Sequence, residues 1–144
     1  MENTNKNSNR NTNIKIVLPE LSYKIMGVLF TVHNELGPSL LEKYYQRAIA
    51  KELKAKRLSF KQEVSVNLTY KEEIIGRYFL DFIVEEKIIV ETKARESYNP
   101  AFFKQALAYL KQTNLPLAIL VNFRRPKLEY KRIINPSYSG RIRM

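Results

Sequence analysis

Asp81 is the only aspartate in the chain, and it sits inside an apolar run, Tyr78-Phe79-Leu80-Asp81-Phe82-Ile83-Val84. Ten residues later a second apolar run, Ile88-Ile89-Val90, leads into Glu91-Thr92-Lys93. Alternate residues of a strand share a face, so Glu91 and Lys93 point the same way. If the two runs form a hairpin, Asp81 lies beside Glu91. Two carboxylates and an ammonium at the end of an apolar strand are costly to bury unless something pairs with them. A divalent cation resolves that cost: Mg²⁺ takes one or two carboxylates, with waters and substrate phosphate filling its octahedron. Asp81, Glu91 and the backbone carbonyl of Thr92 are the candidate metal ligands, with Mg²⁺ or Mn²⁺ as the cation. Lys93 would position or help deprotonate an attacking water and offset charge on a phosphate. The alternative is that Glu91 and Lys93 form a solvated pair at a strand edge.

The surrounding pattern supplies elements to hold these residues. Leu21, Ile25, Val28, Leu29, Val32 and Leu36 recur at helical spacing over 20–36, and Gly37-Pro38 stops that helix. A second helix is predicted from Leu40 to about Lys56, with Leu41, Tyr44, Tyr45, Ala48, Ile49 and Leu53 as its buried stripe. Ser39-Leu40-Leu41-Glu42 reads as a capping box for it. After Arg57 the period becomes alternating: Val64, Val66, Leu68 and Tyr70 share one face of a strand over Phe60–Tyr70. Strands Ile74–Val84 and Lys87–Lys93 follow across short polar links and complete an antiparallel meander. Asn99-Pro100 opens a third helix with Phe103, Ala106, Leu107 and Leu110 inward. Leu117–Val121 is a buried strand, parallel to Lys87–Lys93 through a right-handed crossover, and Tyr130–Ile134 a short last strand. The expected fold class is α/β: an α/β sandwich on a mixed sheet, in the order α-α-β-β-β-α-β with a final short strand.

With 144 residues the chain makes one domain. The absence of cysteine excludes disulfide scaffolds, thiolate zinc sites and cysteine nucleophiles. No apolar run approaches the roughly 20 residues of a membrane helix, and the first residues lack a signal peptide's apolar stretch, so a cytoplasmic location and no membrane partner are expected. Residues 1–13, with Asn at every odd position from 3 to 13, read as a disordered tail; 14–136 read as the folded domain and 137–144 as a basic C-terminal tail. Twenty-five Lys and Arg oppose 14 acidic residues, a net charge of +11 that favours a polyanionic partner. Arg124, Arg125, Lys127, Lys131, Arg132, Arg141 and Arg143, with Tyr130 and Tyr138 among them, suit phosphate contact and base stacking. A basic tail that only aids solubility is the other reading.

Asp81…Glu91-Thr92-Lys93 after a glutamate-bearing helix resembles the PD-(D/E)XK nuclease superfamily. Within it, the stretch Val32–Tyr45 resembles the GxxExxY proteins: Glu42 and Tyr45 match the motif, with Ser39 standing where it has its first Gly. The likeness runs from about Tyr23 to Phe123. It implies a restriction-endonuclease-like fold and metal-dependent phosphodiester cleavage. It also implies that Glu42 approaches the metal or its water, beyond its role in the capping box. Gln105 and Tyr109, four apart on the third helix, resemble the Gln-x-x-x-Tyr motif of exonuclease-type members, which gives Gln105 a role in orienting substrate or water; a surface glutamine beside a half-buried tyrosine is the alternative. His33, the only histidine, is a site-adjacent candidate or a structural residue. The functional expectation is a nuclease, with DNA preferred to RNA as its partner and the oligomeric state, homodimer included, left open. The rivals are a non-catalytic nucleic-acid-binding module and an interaction protein with an incidental acid pair.

Overall fold

The computed structural model describes residues 18–140. The expected tail 1–13, residues 14–17, and Arg141 and Arg143 lie outside the described residues. The elements are α1 (Pro19–Leu36), α2 (Glu42–Ala55), β1 (Phe60–Tyr70), β2 (Glu73–Val84), β3 (Ile88–Lys93), α3 (Pro100–Thr113), β4 (Leu117–Asn122) and β5 (Glu129–Ile134). The five strands form one sheet in the order β1-β2-β3-β4-β5. β1, β2 and β3 are an antiparallel meander, β3 and β4 are parallel through the α3 crossover, and β5 returns antiparallel. The predicted α/β sandwich on a mixed sheet is therefore the observed fold, with the predicted order complete.

Helices cover both faces of the sheet. Ile25, Val28, Leu29 and Val32 of α1 and Tyr45, Ile49 and Leu53 of α2 pack on one face against Phe82, Val84, Ile88, Val90, Ile119 and Val121. Ala106, Tyr109 and Leu110 of α3 pack on the other, against Leu80, Ile89, Ala118 and Leu120. β3 and β4 are covered on both sides, which is why they read as unbroken apolar runs rather than alternating ones. At roughly 1.5–3 kcal/mol per large apolar side chain buried, these two layers carry most of the fold's driving force.

Three expected details change. The helix predicted from Leu40 begins at Glu42, with Leu41 in the cap position and no side-chain cap bond, so the Ser39–Glu42 capping box does not form. The reason lies in the preceding loop. The Tyr45 hydroxyl accepts from the Leu40 amide at 3.1 Å and donates to the Gly37 carbonyl, while Arg124 donates to the carbonyls of Pro38 and Leu40 at 3.1 and 3.0 Å. These ties hold the loop extended past Ser39 and release the Glu42 carboxylate from capping. Leu36, Leu41 and Tyr44 are exposed rather than inward. On α3, Tyr109 is buried while Phe103 lies at an exposed edge.

The third change concerns the alternation of β1 and β2. Phe60 and Phe82 face α1 and α2, whereas Val64, Val66, Tyr78 and Leu80 pack toward α3. Unbroken alternation would put Phe60 with Val64, and Leu80 with Phe82. The phase switches in both strands where Glu63 and Asp81 should pair: that pair is missing from the ladder, and Glu63 has φ 48°. A further register shift between Leu68 and Thr69 leaves Tyr70 exposed.

Tyr45→Phe keeps the ring, which stacks on Phe123 with centroids 4.4 Å apart, but strands the Leu40 amide and the Gly37 carbonyl. It should cost about 1–3 kcal/mol, read as a lower urea midpoint with an unchanged slope. An unaltered midpoint would mean that the hydroxyl does not anchor the loop.

Candidate active site

The β2–β3 ladder runs through Val84↔Ile88, Ile83↔Ile89 and Phe82↔Val90 and then ends, one pair short of Asp81 and Glu91. β3 instead continues alongside β4, with Glu91, Thr92 and Lys93 opposite Leu120, Val121 and Asn122. Asp81 thus lacks ladder partners on both sides, and side chains take over. The Asp81 amide donates to Glu91 Oε2 at 2.8 Å. Asp81 Oδ2 accepts from the Thr92 amide at 2.8 Å and from the Thr92 hydroxyl at 2.9 Å. Each carboxylate is fixed by the other strand's backbone, and its second oxygen carries no hydrogen bond among the described residues.

Burial sets the electrostatics of the pair. Glu91 is 5% exposed. Its desolvation, and then the Asp81 charge, push its carboxyl up to about 8 against the pull of the Asp81 amide and Lys93. Glu42, on the first turn of α2, is raised by its own half-burial and then by Asp81, with Lys93 and Arg95 acting in the opposite direction. Tyr109 is pushed up by burial and by Glu91. No ion pair offsets these charges: the ion pair among the described residues is Lys61–Glu86, exposed at the turn between β2 and β3.

Lys93 lies on the same face of β3 as Glu91, toward α3, with its ammonium 4.5 Å from the Phe102 ring centroid. Hydrogen bonds thus bring Asp81 and Glu91 together from β2 and β3, with Lys93 on the same strand face and the Glu42 carboxylate of α2 within electrostatic range of the pair. Thr92 faces the other way, toward α2, where Gln46 donates to its hydroxyl at 3.0 Å. The N–H and C=O of an extended residue point to the same side, so the Thr92 carbonyl lies on the side from which its amide reaches Asp81. Gln105 is exposed on α3, one turn from Phe102 and one from Tyr109, and makes no hydrogen bond to the acid pair.

Other candidates take structural positions. His33 is buried and its Nε2 is 2.9 Å from the Arg125 carbonyl, which accepts only, so that nitrogen carries the proton. Arg124 turns its guanidinium inward onto the carbonyls of Pro38, Leu40 and Ala94; its donors hold the α1–α2 loop rather than facing outward. Arg125, Lys127, Lys131 and Arg132 are exposed.

Two residues escaped the sequence reading. Gln46 stands four residues after Glu42, a helical neighbour spacing that was the available signal. Asn122, 2% exposed, accepts from the Arg95 and Arg124 amides and donates to the Arg95 carbonyl and to Glu129. Its signal was a lone polar residue closing the apolar run of β4.

The donor set fits a hard divalent cation. Asp81 and Glu91 each offer an oxygen at the end of a buried strand, and their mutual repulsion is what a cation would relieve. Among the described residues no group of three or more His, Cys, Asp or Glu is placed to share a metal ion, so the protein ligands offered here are the two carboxylates and the Thr92 carbonyl.

In metal-free solution the raised Glu91 pKa has a defined sign. Between its ordinary 4.5 and about 8 the folded state holds a proton that the unfolded state has lost. Stability from this group is therefore complete below about pH 4.5 and lost as pH rises through 8. The wild type should lose stability relative to Glu91→Gln across that window in EDTA. Parallel pH–stability curves for the two proteins would show that Glu91 is not perturbed.

Among curated proteins no sequence matches this chain. A solved structure titled "Crystal structure of SSO0001" is similar, with a TM-score of 0.50 and 17% sequence identity over 65% of this chain. The chain spans 50% of that protein's length, and at this identity the likeness speaks for the fold alone. The family pattern of the PD-(D/E)XK nuclease superfamily matches residues 19–133, from the first turn of α1 into β5, and so takes in every residue of the acid-pair site. On that match, with the acid pair and Lys93 at the end of β3, the chain belongs to the PD-(D/E)XK nuclease superfamily.

Proposed function

We propose that the protein is a Mg²⁺- or Mn²⁺-dependent nuclease that hydrolyses phosphodiester bonds in nucleic acid, with DNA as the first substrate to assay. The observation that carries this reading is the interlocked pair: Asp81 and Glu91 each bonded to the other strand's backbone, Glu91 buried without an ion pair, and Lys93 two residues on along the same face. Asp81, Glu91 and the Thr92 carbonyl would hold the cation, which supplies charge neutralisation at the phosphate and polarisation of water. Lys93 holds or takes a proton at the attacking water and offsets charge on the phosphate oxygens. Glu42 faces the pair from α2 and assists in orienting that water. Gln105 would contact substrate from the surface of α3. Within the superfamily, Glu42 and Tyr45 support a place beside the GxxExxY proteins: one lies within the electrostatic range of the acid pair, the other pins the loop that presents it.

Arg125, Lys127, Lys131 and Arg132 supply the exposed cations for phosphate. Among the described residues no helix is long and apolar enough to cross a membrane. The net charge of +11 suits a polyanionic partner.

Asp81→Asn and Glu91→Gln should each weaken Mn²⁺ binding in calorimetric titration. Lys93→Ala should keep Mn²⁺ binding and most nucleic-acid affinity while lowering the cleavage rate roughly 10²–10⁴-fold. The assay offers single- and double-stranded DNA and RNA with Mg²⁺ or Mn²⁺. Equal cleavage by wild type and Lys93→Ala sinks the mechanism; no cleavage by a wild type that binds metal points instead to a binding module.

Replacing Arg125 and Lys127 by Ala should flatten the dependence of log affinity on log salt by about 0.9 for each duplex phosphate that is no longer neutralised. An identical slope would remove them from the interface.

A further inference from the structure

A pocket of about 760 Å³ opens between the start of α3 and the start of β5, lined in part by Tyr98, Phe103, Lys104, Glu129, Tyr130 and Lys131. Its position relative to the acid pair follows from the ladders. Lys93 is opposite Asn122, and Asn122 is opposite Glu129. Two strand spacings, roughly 10 Å, therefore separate the catalytic strand from the pocket's wall. Asn122 bonds Glu129 Oε1 at 3.3 Å and both backbone groups of Arg95, which ties the wall to the end of β3. Consecutive residues of α3 make the same link: Phe102 packs under Lys93, and Phe103 lines the pocket.

The lining has an unmet need. The Tyr98 hydroxyl is the one buried side-chain polar atom without a hydrogen-bond partner among the described residues. Such a group costs stability, and because the hydroxyl is closed to solvent here, a ligand satisfies it only when the Tyr98 ring turns toward the pocket, a turn the unmet bond favours. Burial, and then the Glu129 carboxylate, push Tyr98 up to about 12, so the hydroxyl remains a donor at neutral pH. Beside it are a carboxylate acceptor and aromatic faces. The Lys131 ammonium lies 5.6 Å from the Tyr98 centroid and 5.8 Å from that of Phe103, on a flexible stem that can swing to a phosphate. A planar heterocycle with an acceptor for Tyr98, an amine for Glu129 and a phosphate for Lys104 or Lys131 satisfies the whole set. A nucleotide has all of these.

We propose that this pocket receives an unpaired nucleobase flanking the scissile phosphate, so that single-stranded or frayed nucleic acid is the preferred form of substrate. The inference rests on the nuclease reading for the identity of the substrate. A base inside a duplex is stacked and paired; only an unpaired one can bring its face and edge to Phe103, Tyr98 and Glu129 together.

The test is fluorescence anisotropy in EDTA, where no cleavage occurs. The probes are a labelled mixed-sequence 12-mer DNA strand, its blunt duplex, and a 12-mer of abasic residues. Wild type should bind the single strand more tightly than either of the others. Phe103→Ala should weaken single-strand binding by roughly 5- to 150-fold and abolish discrimination against the abasic strand. Tyr98→Phe, the conservative change, should weaken it several-fold and at the same time raise the unfolding midpoint, because a buried unpartnered hydroxyl has gone. Equal binding of intact and abasic strands by wild type, or wild-type affinity in both variants, overturns the proposal. Base-dependent binding by a protein that cleaves nothing with Mg²⁺ or Mn²⁺ keeps the pocket and removes the nuclease reading. Lys93-dependent cleavage without base discrimination does the reverse.

Discussion

The site depends on the point where β2 and β3 part company. A hairpin of two apolar strands would continue its ladder as far as register allows, but here β3 leaves β2 after Val90 to stay with β4. The backbone groups exposed by that divergence need partners, since an unmet buried amide costs about as much as a broken hydrogen bond. Asp81 and Glu91 provide them by reaching across the gap. The same act fixes both carboxylates a short distance apart in a poorly solvated place. Structural satisfaction and chemical potential therefore come from one arrangement: the bonds that close the sheet also hold the acids in readiness.

Everything around the gap serves to keep it from relaxing. Gln46 holds the Thr92 hydroxyl from above, and Tyr109 and Phe102 wall the opposite face. The α1–α2 loop, which presents Glu42, is tied down from the far end of the chain. Tyr45 and Arg124 bond its carbonyls, and His33 fastens the end of α1 to the Arg125 carbonyl. Asn122 knits the loop after β3 to the one after β4. A basic residue such as Arg124, in the basic stretch between β4 and β5, can thus be a strut: a guanidinium offers five donors, and three carbonyls within reach draw it inward.

The sequence made the fold legible wherever periodicity was clean. The apolar stripes of α1, the unbroken runs of β3 and β4, and Asn99-Pro100 at the start of α3 all translated directly, the last through the Asn99 side chain accepting from the Ala101 amide. Asp81 and Glu91 were legible because charge inside an apolar strand stands out against its surroundings. What stayed hidden was whatever depends on partners distant in the chain. Ser39 and Glu42 have the right spacing for a capping box, yet Tyr45 and Arg124 compete for the same loop and win. Arg124 looked like its exposed neighbours because nothing in a local stretch reveals that carbonyls of residues 38, 40 and 94 converge on it. Asn122 and Gln46 act through β3, which only the folded sheet brings near.

The phase switch at Glu63 has a bearing on how the molecule lives among its neighbours. β1 is an outer strand, 11 residues long, and such an edge offers a row of unpaired amides and carbonyls to any other chain in solution. A left-handed residue, the fourth of the strand, breaks that row into two pieces facing different ways. Lysine and glutamate beside the break, Lys61 and Glu63, add charge where an intruding strand would have to dock. The opposite edge, β5, is six residues long and carries Lys131 and Arg132 in its centre. The distortion that accompanies the acid pair at one end of the hairpin thus also blunts the sheet as a template, and a sheet whose outer strands, among the described residues, are β1 and β5 is guarded against open-ended growth into aggregates.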